Sequence, residues 1–480
     1  MAVSLQKIPS GEQHWLSESF VDPNGRLFEW HGEIYRVLEA EYAARWRELT
    51  LDGTIPKLMA DGLLIESELT QFRTESDKAV LRHRRVPVVS YCYEWTPEML
   101  KDAALLTLDL CIRLAERRLT LQDGHPWNVL FEGTQPIYVD AGSIVPVRDD
   151  ILWAPYQQFC NFFLFPLYLY AAGGDHTTRW LLRDYLSGVT DIDLLGNLPL
   201  SFKLRHPCRT LGVALPRLAS KLLEHLPEEL QERFWSVPAS MPAGESKAKL
   251  RIRFLESLRR NVDSLKLQVG TSQWAAYYGA SNGSYFHTDL APGDWQNKQD
   301  AVERILTELG PSSVLDVGAN TGQYSRLAAQ LGTRVTACEL DIAALNRCYE
   351  QAHEERLNIL PLTVNVFSDS PTPGRGGIPC RPPVQRLRSD LVMGLALIHH
   401  VVATQRLPVG RIVEILDALS KRWLVLEFVP PLKARIGASP VPNLDDYTAD
   451  QLERSLKKYF ARVTPLPSYP VERQLFVCAK

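Results

Sequence analysis

Three groups of side chains in this 480-residue sequence have the types and spacing to do chemistry. The first is Val314-Leu315-Asp316-Val317-Gly318-Ala319-Asn320-Thr321-Gly322. An apolar run enters a turn whose Gly318, Asn320 and Gly322 tolerate left-handed backbone, and the two glycines let the chain approach a ligand closely. Glu339 follows about 20 residues later, where an acid can accept hydrogen bonds from both hydroxyls of a ribose. The second group is His399-His400, imidazoles able to take a proton near neutral pH, with Glu427 to orient one of them or hold a hydroxyl. The third is Asp123, Asn128 and Asp140-Ala141-Gly142. An Asp beside an acceptor hydroxyl, with an Asn and a second Asp holding magnesium on nucleotide phosphates, is a phosphoryl-transfer constellation.

The elements that must position the first two groups are regular. From residue 298 the pattern predicts a helix (298–309), a strand (314–317), a helix (322–331), a strand (335–338) and a helix (341–354). Further strands are predicted over 359–364, 391–395 and 423–428, with a helix over 409–421 between the last two. Strands alternating with helices of this length predict right-handed crossovers and a parallel sheet. The ending differs, because the strand-like runs 462–465 and 474–478 are separated only by a short Pro-containing connection, which suits an antiparallel hairpin. The glycine spacing also decides what the turn holds. A dinucleotide site wants Gly-x-Gly-x-x-Gly, and here the third glycine is missing, so a pyrophosphate is not the expected ligand.

On these residues the segment from 298 to 480 resembles class I methyltransferases, a Rossmann-like α/β fold. The resemblance implies a mostly parallel seven-stranded sheet with an antiparallel C-terminal hairpin and S-adenosylmethionine as cofactor. It implies a cofactor site of Asp316, Gly318, Asn320, Gly322, Glu339, Leu340 and Leu395, with Asn365 and Val366 after the third strand on the adenine. An acid is more usual where Asn365 stands. The fourth strand's end would carry the methyl acceptor, with His399 or His400 as general base and Glu427 at the same rim. Tyr277, Tyr278, Ser284 and Tyr285 precede the first helix, where they can form a lid or pack between domains.

Residues 1–235 resemble the protein-kinase-like fold, an α+β domain, on Asp123, Asn128 and Asp140 with a short hairpin between the last two. A strand over 88–91, a hinge at Tyr93-Glu94-Trp95 and a helix over 97–117 would precede them. No Gly-rich phosphate loop precedes the strand pair 26–30 and 34–38, Arg36 stands where a phosphate-binding lysine is usual, and Leu121 replaces a histidine. Arg36 is expected to pair with Glu39 or Glu41. The resemblance implies ATP and magnesium if this region is active, or a docking role if it is not. Residues 236–297 then form a linker and a helical, aromatic connector. The whole order resembles bacterial fusions of nodulation-type or natural-product methyltransferases, which implies O-methylation of a small-molecule, carbohydrate or secondary-metabolite hydroxyl. The alternatives are a bifunctional kinase and methyltransferase, or a non-catalytic scaffold.

Composition bounds these readings. Lys plus Arg number 53 and Asp plus Glu 56, so no basic field favours nucleic acid or an anionic membrane. The eight cysteines form no Cys-x-x-Cys pair, which argues for reduced thiols and against a metal site. The most apolar stretch, 162–172, is too short to span a bilayer and reads as a buried helix. The N-terminal residues lack the apolar core of a signal peptide, and the expected compartment is the cytoplasm.

Overall fold

The computed structural model describes residues 6–16, 24–147, 153–223, 247–272, 274–275, 292–368, 380–430 and 447–480. The N-terminal strands are β1 (Lys7–Ile8), β2 (His14–Trp15), β3 (Leu27–Trp30), β4 (Glu33–Leu38), β5 (Ser67–Thr74) and β6 (Ala79–His83). They form one sheet in the order β1-β5-β6-β4-β3-β2, antiparallel except for β1 against β5. A long helix follows, α1 (Pro97–Ala115), which begins cleanly because the Thr96 side chain accepts from the Met99 amide and Pro97 needs no hydrogen-bond partner at the first turn. Then β7 (Leu119–Leu121) pairs antiparallel with β10 (Ile144–Pro146), around a hairpin of β8 (Val129–Glu132) and β9 (Gln135–Tyr138). The expected strand over 88–91 is absent. That segment is irregular and leads into a 3-10 turn at Cys92–Glu94, because the Glu94 side chain folds back to accept from the Tyr91 amide.

The C-terminal sheet has seven strands: β11 (Ser313–Val317), β12 (Arg334–Cys338), β13 (Ile359–Leu362), β14 (Ser389–Gly394), β15 (Ser420–Phe428), β16 (Arg462–Pro467) and β17 (Gln474–Ala479). Their order is β13-β12-β11-β14-β15-β17-β16, with β11 to β15 mutually parallel and β17 antiparallel to both neighbours. The α/β architecture with an antiparallel terminal hairpin is the one anticipated. All five residues of β11 are buried, as a central strand covered on both faces requires. Alternation sends Val314 to one face and Leu315 and Val317 to the other, where they join separate apolar clusters. The chain runs outward from β11 through β12 to β13, then restarts on the other side at β14. The crevice between the carboxyl ends of β11 and β14 is therefore a topological switch point, where such sheets bind ligands.

The two halves share packing. The cluster containing Leu315, Leu360 and Leu424 is continuous with Leu100, Ala103 and Phe131 of the N-terminal half. Helix α2 (Lys247–Asp263) lies against α1, with Arg259 on Asp109 at 2.6 Å and Lys101 donating to the Leu265 carbonyl at 3.0 Å. No helix among the described residues is long and apolar enough to cross a membrane.

Candidate cofactor and acceptor site

The turn after β11 is held against β12, because the Gly318 and Ala319 amides both donate to the Cys338 carbonyl, at 2.8 and 3.1 Å. Three of five residues are left-handed: Gly318 at φ +79°, Asn320 at +54° and Gly322 at +82°. Packing adds a second demand for glycine. A Cβ on Gly322 would stand 2.4 Å from the Cys348 sulfur, so the turn seats directly on helix α3 (Ile342–Glu354). Glu339, one residue beyond β12, faces the turn. Its Oε2 accepts from the Asn320 amide at 3.0 Å, and its Oε1 accepts from Leu340 at 2.6 Å and Asp341 at 3.0 Å. Burial raises its carboxyl pKa, and these three amides oppose that rise. Oε1 is filled by two amides, and Oε2 keeps an acceptor site for a further donor such as a ribose hydroxyl. Leu340 beside it is half exposed.

Asp316 shares the Val314 face of β11. Burial pushes its carboxyl up to about 7, although the Ser325 hydroxyl donates to it at 2.6 Å. Near it, Lys298 projects from helix α4 (Pro292–Leu309) and its ammonium sits 5.3 Å from the Tyr324 ring. Lys298 also closes a buried ion pair with Glu427 at 2.7 Å, with exposures of 4% and 0% for the two side chains. Ser468 donates to the other Glu427 oxygen at 2.8 Å and Arg473 lies 3.8 Å away. The sequence reading put Glu427 at an open rim, on an acceptor hydroxyl or a histidine. The structure corrects this: β15 carries it into the interior, and its carboxylate is spent on Lys298 and Ser468.

At the end of β14, Leu395 is buried and Ala396 is left-handed at φ +51°. The rings of His399 and His400 lie 4.0 Å apart, and Trp274 meets His400 edge-on at 5.3 Å. Burial, then the neighbouring His400, Arg473 and Lys298, push the His399 pKa far down. Its Nδ1 is buried with no hydrogen-bond partner among the described residues. His400 is lowered by burial alone. Both are neutral near pH 7, and a proton acceptor as strongly depressed as His399 is a weak base. The lid residues Tyr277, Tyr278, Ser284 and Tyr285 lie outside the described residues. After β13, the Asn365 amide donates to Gln405 at 3.1 Å and its oxygen accepts from the Phe367 amide at 3.1 Å, while Val366 is buried. These contacts use one N–H and one lone pair of the Asn365 amide and leave one of each for an adenine edge.

In the N-terminal half Asn128 and Asp140 do meet, at 3.3 Å, and Asp123 accepts from Gln158 at 3.3 Å. Glu39 pairs with Lys78, and Arg36 forms a 2.8 Å ion pair with Asp140, its own side chain 3% exposed, in place of the expected pairing with Glu39 or Glu41. Asp140 Oδ1 also accepts from the Gly142 amide at 3.2 Å. A guanidinium thus stands on the carboxylate that a magnesium ion would need, and this arrangement does not fit the metal.

No family model matches the chain. Over 426 residues it is 29% identical to the nodulation protein NoeA of Rhizobium meliloti (strain 1021), spanning 86% of this chain and 84% of that one. Among solved structures it is similar to magnesium protoporphyrin IX methyltransferase (ChlM) from Synechocystis PCC 6803 with bound SAH. That similarity has 17% identity over 43% of this chain and 92% of the other, with a TM-score of 0.32. It is also similar to the bifunctional kinase-methyltransferase WbdD, at 17% identity over 39% of this chain and 40% of the other, with a TM-score of 0.30.

Three residues of the site were missed from sequence. Lys298 had a readable signal, since it stands four residues before Val302 on the apolar stripe of its own helix, where a lysine needs a buried partner. Ser468 and Arg473 had none, because only the terminal hairpin brings them back to β15.

Proposed function

We propose that this chain is an S-adenosylmethionine-dependent methyltransferase acting on a small-molecule hydroxyl, of a carbohydrate or a secondary metabolite. The observation that carries the proposal is the left-handed turn Gly318–Asn320–Gly322 facing the Glu339 carboxylate at the end of β12, beside the switch point of the sheet. This set of groups suits a nucleoside: a buried carboxylate with an acceptor site open to a ribose hydroxyl, beside closely packed backbone. Bound there, the cofactor supplies a methyl group on a cationic sulfonium. Glu339 holds the ribose, Leu340 covers it, and the turn fixes the remainder beside Asp316 and Lys298. His400 takes the proton of the acceptor hydroxyl as the oxygen attacks, and His399 stays neutral beside it. Alignment of the nucleophile supplies most of the acceleration.

The N-terminal half, kinase-like in its Asp123, Asn128 and Asp140 loops, docks the acceptor. The Arg36–Asp140 ion pair supports docking over phosphoryl transfer. Similarity to NoeA across both halves supports one working unit.

Calorimetric titration with S-adenosylhomocysteine tests the assignment. Folded full-length protein binds with one-to-one stoichiometry, and Glu339→Ala loses at least about tenfold in affinity, the scale of one charge-assisted hydrogen bond. A folded protein that takes up no ligand ends the proposal.

A further inference from the structure

The carboxyl end of β13 sits next to Glu339, whose amide donates to the Leu362 carbonyl at 3.1 Å. If Glu339 holds a ribose, the base beyond it lies over residues 363–367. That segment is not supported by the C-terminal half alone. The Thr363 amide donates to the Glu94 carbonyl at 2.7 Å. Arg179, on a helix of the N-terminal half, donates to the Tyr93 carbonyl and to the Thr363 carbonyl, both at 3.2 Å.

The stretch entering β14 is held by the same segment. Arg386 forms an ion pair with Glu94, both side chains 5% exposed or less, and donates to the Val89 carbonyl at 2.9 Å. Its guanidinium lies 4.8 Å from the Tyr91 ring, and the Tyr91 hydroxyl accepts from the Arg381 amide at 2.8 Å. Residues 89–94 therefore hold the chain at two places: after β13, and before β14, the strand that leads to the histidines. Behind them Tyr91 and Tyr93 pack on Trp127, the neighbour of Asn128.

We propose that residues 89–94, with Arg179 and Arg386, form an intramolecular clamp that sets the geometry of the base-binding side of the cofactor site. Glu94, Arg179 and Arg386 are positioning residues in this scheme. The N-terminal half is then part of the cofactor site and not only a neighbour of it. The inference rests on the cofactor reading above, and its test is arranged to separate the two.

The full-length chain is compared with Arg179→Gln and with the double variant Glu94→Gln/Arg386→Gln, which removes both buried charges together and leaves neither unpaired. Two measurements are made: calorimetric titration with S-adenosylhomocysteine and with adenosine, and amide hydrogen exchange over residues 359–368. The clamp predicts about a tenfold rise in dissociation constant for both ligands, within the usual range of coupling between sites, at unchanged stoichiometry. Simple misfolding lowers the stoichiometry instead. Arg179→Lys restores part of the affinity. Exchange over 359–368 becomes faster while the amides of β11 and β12 keep their protection. Unchanged affinity in both variants at full stoichiometry overturns the clamp and leaves the cofactor assignment standing. If the wild-type chain binds neither ligand, the cofactor assignment falls, and unchanged exchange over 359–368 in the variants then overturns the clamp as well.

Discussion

At the scale of single residues, the site is a set of ionisable groups whose ordinary behaviour burial has altered. Asp316 is the clearest. Its carboxyl is raised from 3.8 to about 7, so the folded state holds a proton that the unfolded state releases between those values. Stability from this group is fully present below pH 3.8 and is lost as pH rises through 7. Asp316→Asn, which keeps an acceptor for Ser325, gains stability over wild type at pH 8 and little at pH 4. The difference is on the order of 1–4 kcal/mol, set by the size of the shift, and urea denaturation at the two pH values measures it. The histidines differ in the same currency. His400→Gln lowers kcat by about 10²–10⁴, the usual contribution of a general base, while His399→Asn costs much less. Equal losses in steady-state kinetics with any accepted hydroxyl would remove His400 from its assigned role.

At the scale of elements, the loop between β11 and the following helix depends on glycine for two reasons at once. Gly322→Ala places a side chain in left-handed backbone and 2.4 Å from Cys348, so a loss of about 2–3 kcal/mol is expected in thermal unfolding, with weaker cofactor binding. The parallel strands and this turn were legible in sequence, since apolar runs bounded by helices of regular length leave little choice of architecture. The placement of Glu339 against the turn was legible too, because it follows from the distance along the chain between two strand ends. What sequence could not supply was direction inside the crevice. Glu427 ends a strand at the expected edge, yet whether it faces solvent or Lys298 depends on a helix 129 residues earlier. Arg36 likewise chose Asp140, 104 residues away, over the nearby Glu39 and Glu41. Sequence neighbours lose to spatial ones whenever a sheet folds back.

At the scale of the whole molecule, the apolar cluster shared by the two halves predicts that they unfold as one cooperative body. A fragment of residues 292–480 would expose Leu315, Leu360 and Leu424 where they join the N-terminal residues. It should fail to fold as a monomer, while the intact chain unfolds in a single calorimetric transition. Two resolved transitions, or a fragment with a protected sheet in hydrogen exchange, would show that the shared packing is not needed.

The pairing of Glu94 with Arg386 also bears on how the chain is made. The two residues are separated by 292 positions, and Thr363 is nearly as far from Glu94. At roughly 5–20 residues per second of synthesis, Glu94 waits on the order of 15–60 s for its partner. During that interval a carboxylate and the tyrosines beside it sit at an unfinished surface. Contacts of such long range are slow to form and expose apolar area to aggregation. The yield of native protein should therefore depend on temperature and on chaperones during translation more strongly than its final stability suggests.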